Sequence, residues 1–214
     1  MIKKEHFSIV IIGNMNPMIH HPSWYNYREI ITNEDLELSL KNGSICTPDL
    51  SSLNFKNFNI NCQINRWDIN CSNLNFLNDI INVTAKTFKL LFETPISALG
   101  INLNSHILLD QKNIDSVILQ SFIKQDFLNE LENPASAKIL ITIPHENFEV
   151  NLSVEKSSLY RNHLLINRNF NFILKNLIGA EYKEFNLGDI LSSYIAECIN
   201  ISEKLEAKIV GKFV

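Results

Sequence analysis

The 214-residue sequence has no apolar run long enough to cross a membrane. The first apolar run, FSIVII at residues 7–12, is far shorter than the roughly 20 residues that a membrane-spanning helix needs. It is also short for a secretory leader and lacks a small-residue cleavage site, so it predicts a first β-strand. We therefore expect a cytoplasmic protein with no membrane contact.

Glycine is also scarce, with six residues in the whole chain. Gly13 and Gly100 stand alone, so the sequence has neither a phosphate-cradling glycine loop nor a dinucleotide-binding fingerprint. It also lacks the GxSxG elbow, the HExxH zinc motif and the kinase signature. These absences exclude several large enzyme classes, and no cofactor is predicted.

The four cysteines are few and widely spaced: Cys46, Cys62, Cys71 and Cys198. Their spacing excludes a CxxC metal knuckle, and their number is too low for a disulfide scaffold. We expect reduced, mostly buried thiols, as in a cytoplasmic protein. Cys198 falls on the apolar stripe of a predicted helix, which is a poor position for a nucleophile.

Positive charge is limited, with 19 basic and 23 acidic residues and a net charge of −4. Because nucleic-acid binding depends on neutralising phosphates, a chain without a long basic run is a poor candidate for it. Only a local patch drawn from Arg28, Lys56, Arg66 and Arg168 would change that expectation.

Asparagine-rich alternating segments predict a hairpin in FNINCQINRWDINCS, residues 58–72. Ile60, Cys62 and Ile64 share one parity, whereas Trp67 and Ile69 share the other, and a single strand cannot hold both sets on one face. A turn at Asn65–Arg66, with Asn65 at the positive φ of a type I′ turn, resolves the conflict. It pairs Ile64 with Trp67 and Cys62 with Ile69, and leaves an amide-rich opposite face.

The remaining patterns predict an α+β fold. DLELSL at 35–40 alternates as a half-buried strand, and helical spacing is found over 73–92, 114–132 and the C-terminal segment. Each half of the chain places antiparallel strands before a helix of about twenty residues. We expect a curved antiparallel sheet with two long helices packed on one face, in a single composite domain of residues 1–214. Half-repeats 1–106 and 135–214, joined by the segment 114–132, are one interpretation, and chance similarity between alternating strands is the other.

The segment NMNPMIHHPSWYNYREI, residues 14–30, holds the densest group of candidate site residues. His20 and His21 are candidates for metal binding or acid–base chemistry, with backbone-bonding loop histidines as the alternative. Aromatic and arginine side chains are enriched in binding hot spots, so we predict a recognition surface from this loop and the hairpin tip, whose members are Trp24, Tyr25, Tyr27, Arg28 and Arg66. The alternative is that these rings pack over the sheet edge.

Two further side chains are placed by the apolar pattern. Trp67 is expected in the core. Arg168 interrupts an apolar face, and because a buried arginine needs a carboxylate partner, a structural ion pair is the first interpretation and an anion pocket the second.

The motifs NMNPMIHHPSWY, NRWDI and TPISALGINL resemble a sporadically distributed family of uncharacterised bacterial proteins, over roughly residues 7–106. The resemblance implies a bacterial or phage source and a shared fold, but no known activity. It also implies structural roles: a close backbone approach at Gly100, and a bond from Asn102 to the loop at residues 14–16. Accessory genes of this kind are often found in defence or toxin–immunity settings.

The sequence therefore predicts a non-enzymatic binding protein that contacts a protein partner or a second copy of itself. The candidate surfaces are the amide face of the hairpin and the aromatic loop at residues 17–28. The alternative function is a small-molecule or metal-dependent enzyme with its site at His20 and His21.

Overall fold

The computed structural model describes residues 3–109, 113–130, 134, 136–174 and 186–213. Within them lie nine strands: β1 (Lys3–Gly13), β2 (Ile45–Cys46), β3 (Leu50–Asn54), β4 (Asn59–Gln63), β5 (Arg66–Cys71), β6 (Ile96–Leu108), β7 (Lys138–Pro144), β8 (Phe148–Lys156) and β9 (His163–Phe172). All nine form one antiparallel sheet that does not close, in the order β2-β3-β4-β5-β1-β6-β9-β8-β7. The mixed helix and strand content of the prediction is confirmed.

Six α-helices lie in the described ranges: α1 (Pro22–Tyr27), α2 (Asn33–Lys41), α3 (Leu77–Leu90), α4 (Ile114–Phe122), α5 (Gln125–Glu130) and α6 (Leu187–Val210). Short 3-10 turns at Pro17–Ile19 and Leu74–Phe76 precede α1 and α3. Among the described residues, no helix has both the length and the apolar character needed to span a bilayer.

Alternation along each strand separates the sheet into two faces. The core face carries buried apolar residues such as Ile9, Ile69, Ile101 and Phe170, and α3 and α6 contribute to the same cluster. A second cluster joins α4 to β8, β9 and the end of β6. We call the opposite side the polar face, because amide and hydroxyl side chains dominate it.

The predicted hairpin is formed by β4 and β5, with Ile60, Cys62, Trp67 and Ile69 on the core face. Its register differs from the prediction by two residues, since Cys62 lies opposite Trp67 and the turn is Ile64–Asn65. A register shift of two residues keeps each strand residue on its predicted face of the sheet. Ile64 is the exception, because it lies in the turn and is 53% exposed instead of facing the core.

Contacts at the hairpin tip account for this register. The carbonyl oxygens of Ile64 and Asn65 accept hydrogen bonds from the backbone N–H groups of Met15 and Gly13, at 2.7 and 3.2 Å. Glu29 and Asn162 are the non-glycine residues with positive φ in the described part of the chain. The type I′ geometry predicted for Asn65 is therefore wrong.

The segment DLELSL is helical, so the predicted strand at 35–40 is wrong. Thr32 and Asp35 form a capping box in which each side chain bonds the backbone N–H of the other residue. Leu36 and Leu40 are also four residues apart, which suits a helix as well as a strand. The capping box is the local signal that decides between the two periods.

The segment predicted as one helix over 114–132 is divided at Ile123, where α4 ends in extended backbone. Residues 131–133 lie outside the described ranges. The prediction of mostly buried thiols is confirmed for Cys62, Cys71 and Cys198, whereas Cys46 is partly exposed.

The close backbone approach expected at Gly100 is found instead at Gly13. A Cβ on Gly13 would overlap the carbonyl oxygen of Pro95, whereas a Cβ on Gly100 would meet Asn169 Nδ2 at 3.4 Å. We expect Gly13→Ala to lower the free energy of unfolding by about 2–3 kcal/mol, because the overlap is with backbone that cannot move aside freely.

Gly100→Ala is the control, and its effect should stay within about 0.5 kcal/mol. Urea denaturation of the two variants measures the difference. Equal effects would show that the carbonyl of Pro95 does not constrain position 13.

Candidate functional site

A continuous line of amide and hydroxyl side chains crosses the polar face. Each member lies directly opposite the next in the strand register, and the line covers eight of the nine strands. We call it the amide row: Asn54, Asn59, Asn70, Ser8, Asn102, Asn169, Asn151 and Thr142. The hairpin's amide face, predicted from sequence, is therefore one end of a much longer surface.

Hydrogen bonds between neighbours fix the orientation of several members of the row. Asn169 Nδ2 donates to Asn102 Oδ1 at 2.6 Å, and Asn102 Nδ2 donates to Ser8 Oγ at 3.1 Å. Thr142 Oγ1 donates to Asn151 Oδ1 at 2.8 Å. Asn102 thus bonds across the sheet, so the expectation that it holds the loop at residues 14–16 is wrong.

Asp68 lies beside the row and is 8% exposed. Its carboxylate accepts hydrogen bonds from Arg66 Nε at 2.8 Å, Asn61 Nδ2 at 3.1 Å and Asn70 Nδ2 at 2.6 Å. These three donors compensate the cost of burying the charge. Arg66, predicted as a binding residue, is therefore engaged in an ion pair on the polar face.

Two buried acceptors lie one step along the sheet from the row. The Oδ1 atoms of Asn104 and Asn167, on paired positions of β6 and β9, have no hydrogen-bond partner among the described residues. A buried oxygen without a donor is unfavourable by about 1–3 kcal/mol. A bound group that brings an N–H or O–H donor would relieve this cost.

The charges of the polar face are balanced. Arg66 pairs with Asp68, and Lys138 Nζ lies 2.9 Å from Glu155 Oε1. A face of this kind has little attraction for a phosphate backbone. Its recognition capacity lies in neutral donors and acceptors.

A histidine cluster closes one end of the polar face. Tyr160, in the loop after β8, stacks on His6 at 6.4 Å between ring centroids and lies edge-on to His106 at 4.9 Å. His106 Nδ1 is 2.9 Å from Ser157 Oγ. Burial, and then the charges of His6, His163 and Lys4, lower the pKa of His106.

These residues come from distant parts of the chain, and a groove of about 410 Å³ runs past Lys4, His6 and Tyr160. No local pattern in the sequence links positions 6, 106 and 160, so this cluster was not predicted.

The aromatic loop is built around Tyr25, which is fully buried. Trp67 Nε1 donates to the Tyr25 hydroxyl at 3.3 Å, and the same hydroxyl forms a hydrogen bond with His20 Nδ1 at 2.7 Å. Burial lowers the pKa of His20 to about 4, so the imidazole is neutral at pH 7. The prediction of Tyr25 as a surface contact is corrected, because the residue anchors the loop to the core.

His21 begins helix α1, since its Nδ1 accepts a hydrogen bond from the backbone N–H of Ser23 at 3.2 Å. Both loop histidines therefore have structural partners. Within the ranges given above, no group of three or more His, Cys, Asp or Glu side chains could hold a metal ion. The geometry of the loop gives the enzyme alternative no support.

The outer surface of the loop is small. Tyr27 is 81% exposed, and the Arg28 guanidinium lies 5.7 Å from its ring centroid, while Trp24 is half-buried against Tyr25. Arg66 lies on the other side of β5 from Trp67, the residue that Tyr25 contacts. The five predicted binding residues thus do not form one surface.

Arg168 is buried on the core face and forms the expected ion pair. Its Nη1 lies 2.8 Å from Glu206 Oε2 on α6, and its Nη2 donates to Ser105 Oγ at 2.7 Å. The structural interpretation of Arg168 is confirmed.

The chain matches no protein-family model, and a search of curated proteins also found no match.

Proposed function

We propose that this protein is a non-enzymatic binding protein whose partner, another protein, lies along the amide row. The observation that supports the proposal is the continuity of the row across eight strands. A single polar strand face is ordinary, whereas a row in register through most of a sheet is an ordered hydrogen-bonding surface.

The chemistry of the row favours a protein over a nucleic acid. Each asparagine offers two donor hydrogens and one acceptor oxygen. A peptide backbone likewise carries donor N–H and acceptor C=O groups, so the two can form complementary hydrogen bonds. The bonds among Asn169, Asn102 and Ser8 order these side chains in advance, so less entropy is lost on binding. The charged groups beside the row are balanced in ion pairs at Asp68 and Glu155, and such pairs attract phosphate weakly.

We propose a cytoplasmic location and a role as a subunit of a bacterial accessory system of the defence or toxin–immunity kind. The accessory-system role is supported by the motif resemblance in residues 7–106 alone, whereas the location is supported by the unpaired cysteines.

We also propose that two long helices, α3 and α6, pack on one face of the sheet, and that the chain consists of two half-repeats. In support, each half has a long strand in the central pair, a helical insertion, a meander of antiparallel strands (β2 to β5 in one, β7 to β9 in the other) and a final helix. This division would assign β6 to the second half, so the halves would meet near residue 95 instead of 106.

The test is site-specific photo-cross-linking in the cells that naturally produce the protein. A photoreactive side chain at Asn59 or Asn151, near the two ends of the amide row, should cross-link to the same partner protein. The matched control is Asn78, an exposed asparagine on helix α3, which should give no such product.

A product from Tyr27 alone would place the partner on the aromatic loop instead. Products from none of these positions would contradict the binding proposal. A species of twice the chain mass from Asn59, which lies far from the β7 edge, would identify the partner of the amide row as a second copy.

A further inference from the structure

Strand β7 forms one edge of the sheet, and the described residues place no strand beyond it. Its sequence, KILITIP, is apolar except for Lys138 and Thr142. Leu140 is 68% exposed and Ile141 is 45% exposed, so apolar side chains lie open on both faces of the edge.

The hydrogen-bond register shows which backbone groups point outward. His145 N donates to Phe148 O at 2.9 Å, one step beyond the β7–β8 ladder and in the same register. Hydrogen-bonded pairs alternate in an antiparallel ladder, so Ile139, Ile141 and Ile143 bond to β8. The N–H and C=O groups of Lys138, Leu140 and Thr142 therefore point away from the sheet.

Edge strands of monomeric proteins carry protection against pairing, such as central charges, bulges or short length. Strand β7 has seven residues, an unbroken register and no charge between Lys138 and Pro144. Lys138 is held by Glu155 in an ion pair. The opposite edge, β2, has two residues and offers little to pair with.

We propose that β7 pairs with β7 of a second copy in antiparallel orientation, which joins the two sheets into one. A twofold axis at Ile141 places Leu140 opposite Thr142 and Ile139 opposite Ile143, and puts the two Lys138 side chains at opposite ends. The unpaired groups of Leu140 and Thr142 then satisfy each other, as a closed isologous interface requires. This inference does not depend on the partner proposed for the amide row.

The first test is the mass of the purified chain in solution, by sedimentation or light scattering. The wild-type chain should be a dimer, and Leu140→Lys should raise the dimer dissociation constant by about 100-fold, because it brings a charge into the joined edge. Thr142→Pro should act similarly, because it removes an outward N–H and leaves the backbone bonds to β8 in place, although the side-chain bond to Asn151 is lost. Leu159→Lys is the matched control, since Leu159 is also 68% exposed and lies outside β7.

Hydrogen exchange of the wild-type chain gives a second test that needs no variant. The outward amide hydrogens of Leu140 and Thr142 should be protected, and dilution below the dissociation constant should remove the protection. A monomeric wild-type chain, fast exchange at both amides, or a dimer that resists both substitutions would each overturn the proposal.

Discussion

Replacing Glu206 with alanine is expected to lower the free energy of unfolding by about 3–5 kcal/mol, the range for removing one partner of a buried ion pair. The loss arises because the Arg168 guanidinium is 2% exposed and would keep its charge without the carboxylate that pairs with it. Its remaining bonds would be to Ser105 Oγ and to the carbonyl oxygen of Leu103.

The Glu206 side chain, on helix α6, contacts three cationic or polar side chains of the sheet. Its Oε2 accepts from Ser105 Oγ at 2.5 Å and pairs with Arg168, while its Oε1 lies 2.6 Å from Lys3 Nζ. Burial acts to raise the pKa of Glu206, but the bonds from Lys3 and Ser105 and the charge of Arg168 outweigh it, so the pKa lies below its usual value.

Glu203→Ala is the matched control, since Glu203 is on the same helix and exposed. Its effect should stay within about 0.5 kcal/mol. The double variant Arg168→Met with Glu206→Leu should recover most of the lost stability, because it removes both charges together. Urea denaturation measures all three; a small loss in Glu206→Ala would show that water reaches Arg168.

Side-chain parity predicted the core-facing apolar residues of β4 and β5, because alternation is a local property of any strand, but it failed for Ile64, which lies in the turn. The register depended on tertiary contacts, since the tip must present its carbonyls to Met15 and Gly13. Parity alone cannot detect such contacts. For the helix at residues 33–41, in contrast, the sequence did contain the deciding local signal. The capping box at Thr32 outweighs the short apolar–polar alternation.

The candidate site was only partly predictable for a related reason. Alternating asparagines indicate a polar strand face, but the amide row exists because Ser8 lies opposite Asn102, 94 positions away in sequence. In the aromatic loop, composition indicated polar-tipped rings, but not that Tyr25 would be buried by Trp67 and His20. Pairing between distant segments decides both outcomes.

The protonation of His20 gives the second large effect, which is a loss of stability in mild acid. The unfolded chain takes up this proton near the ordinary pKa of 6.5, whereas the folded chain does so only near pH 4. Between these values the unfolded state binds more protons, so falling pH favours unfolding. We expect His20 to account for a loss of about 2 kcal/mol by about pH 5 and about 3 kcal/mol near pH 4.

The variant His20→Asn isolates the His20 contribution to this loss, because the asparagine amide can hydrogen-bond the Tyr25 hydroxyl as donor or acceptor and does not titrate. His106 also contributes to the loss of protein stability in acid, because its pKa is lowered in the folded state. This contribution is the same in the wild-type chain and the variant, so it cancels when their unfolding free energies are compared. Urea denaturation at a series of pH values should show a shallower acid loss for the variant. Parallel curves would mean that His20 can turn its ring to water when it is protonated, and that the Tyr25 bond does not hold the loop closed.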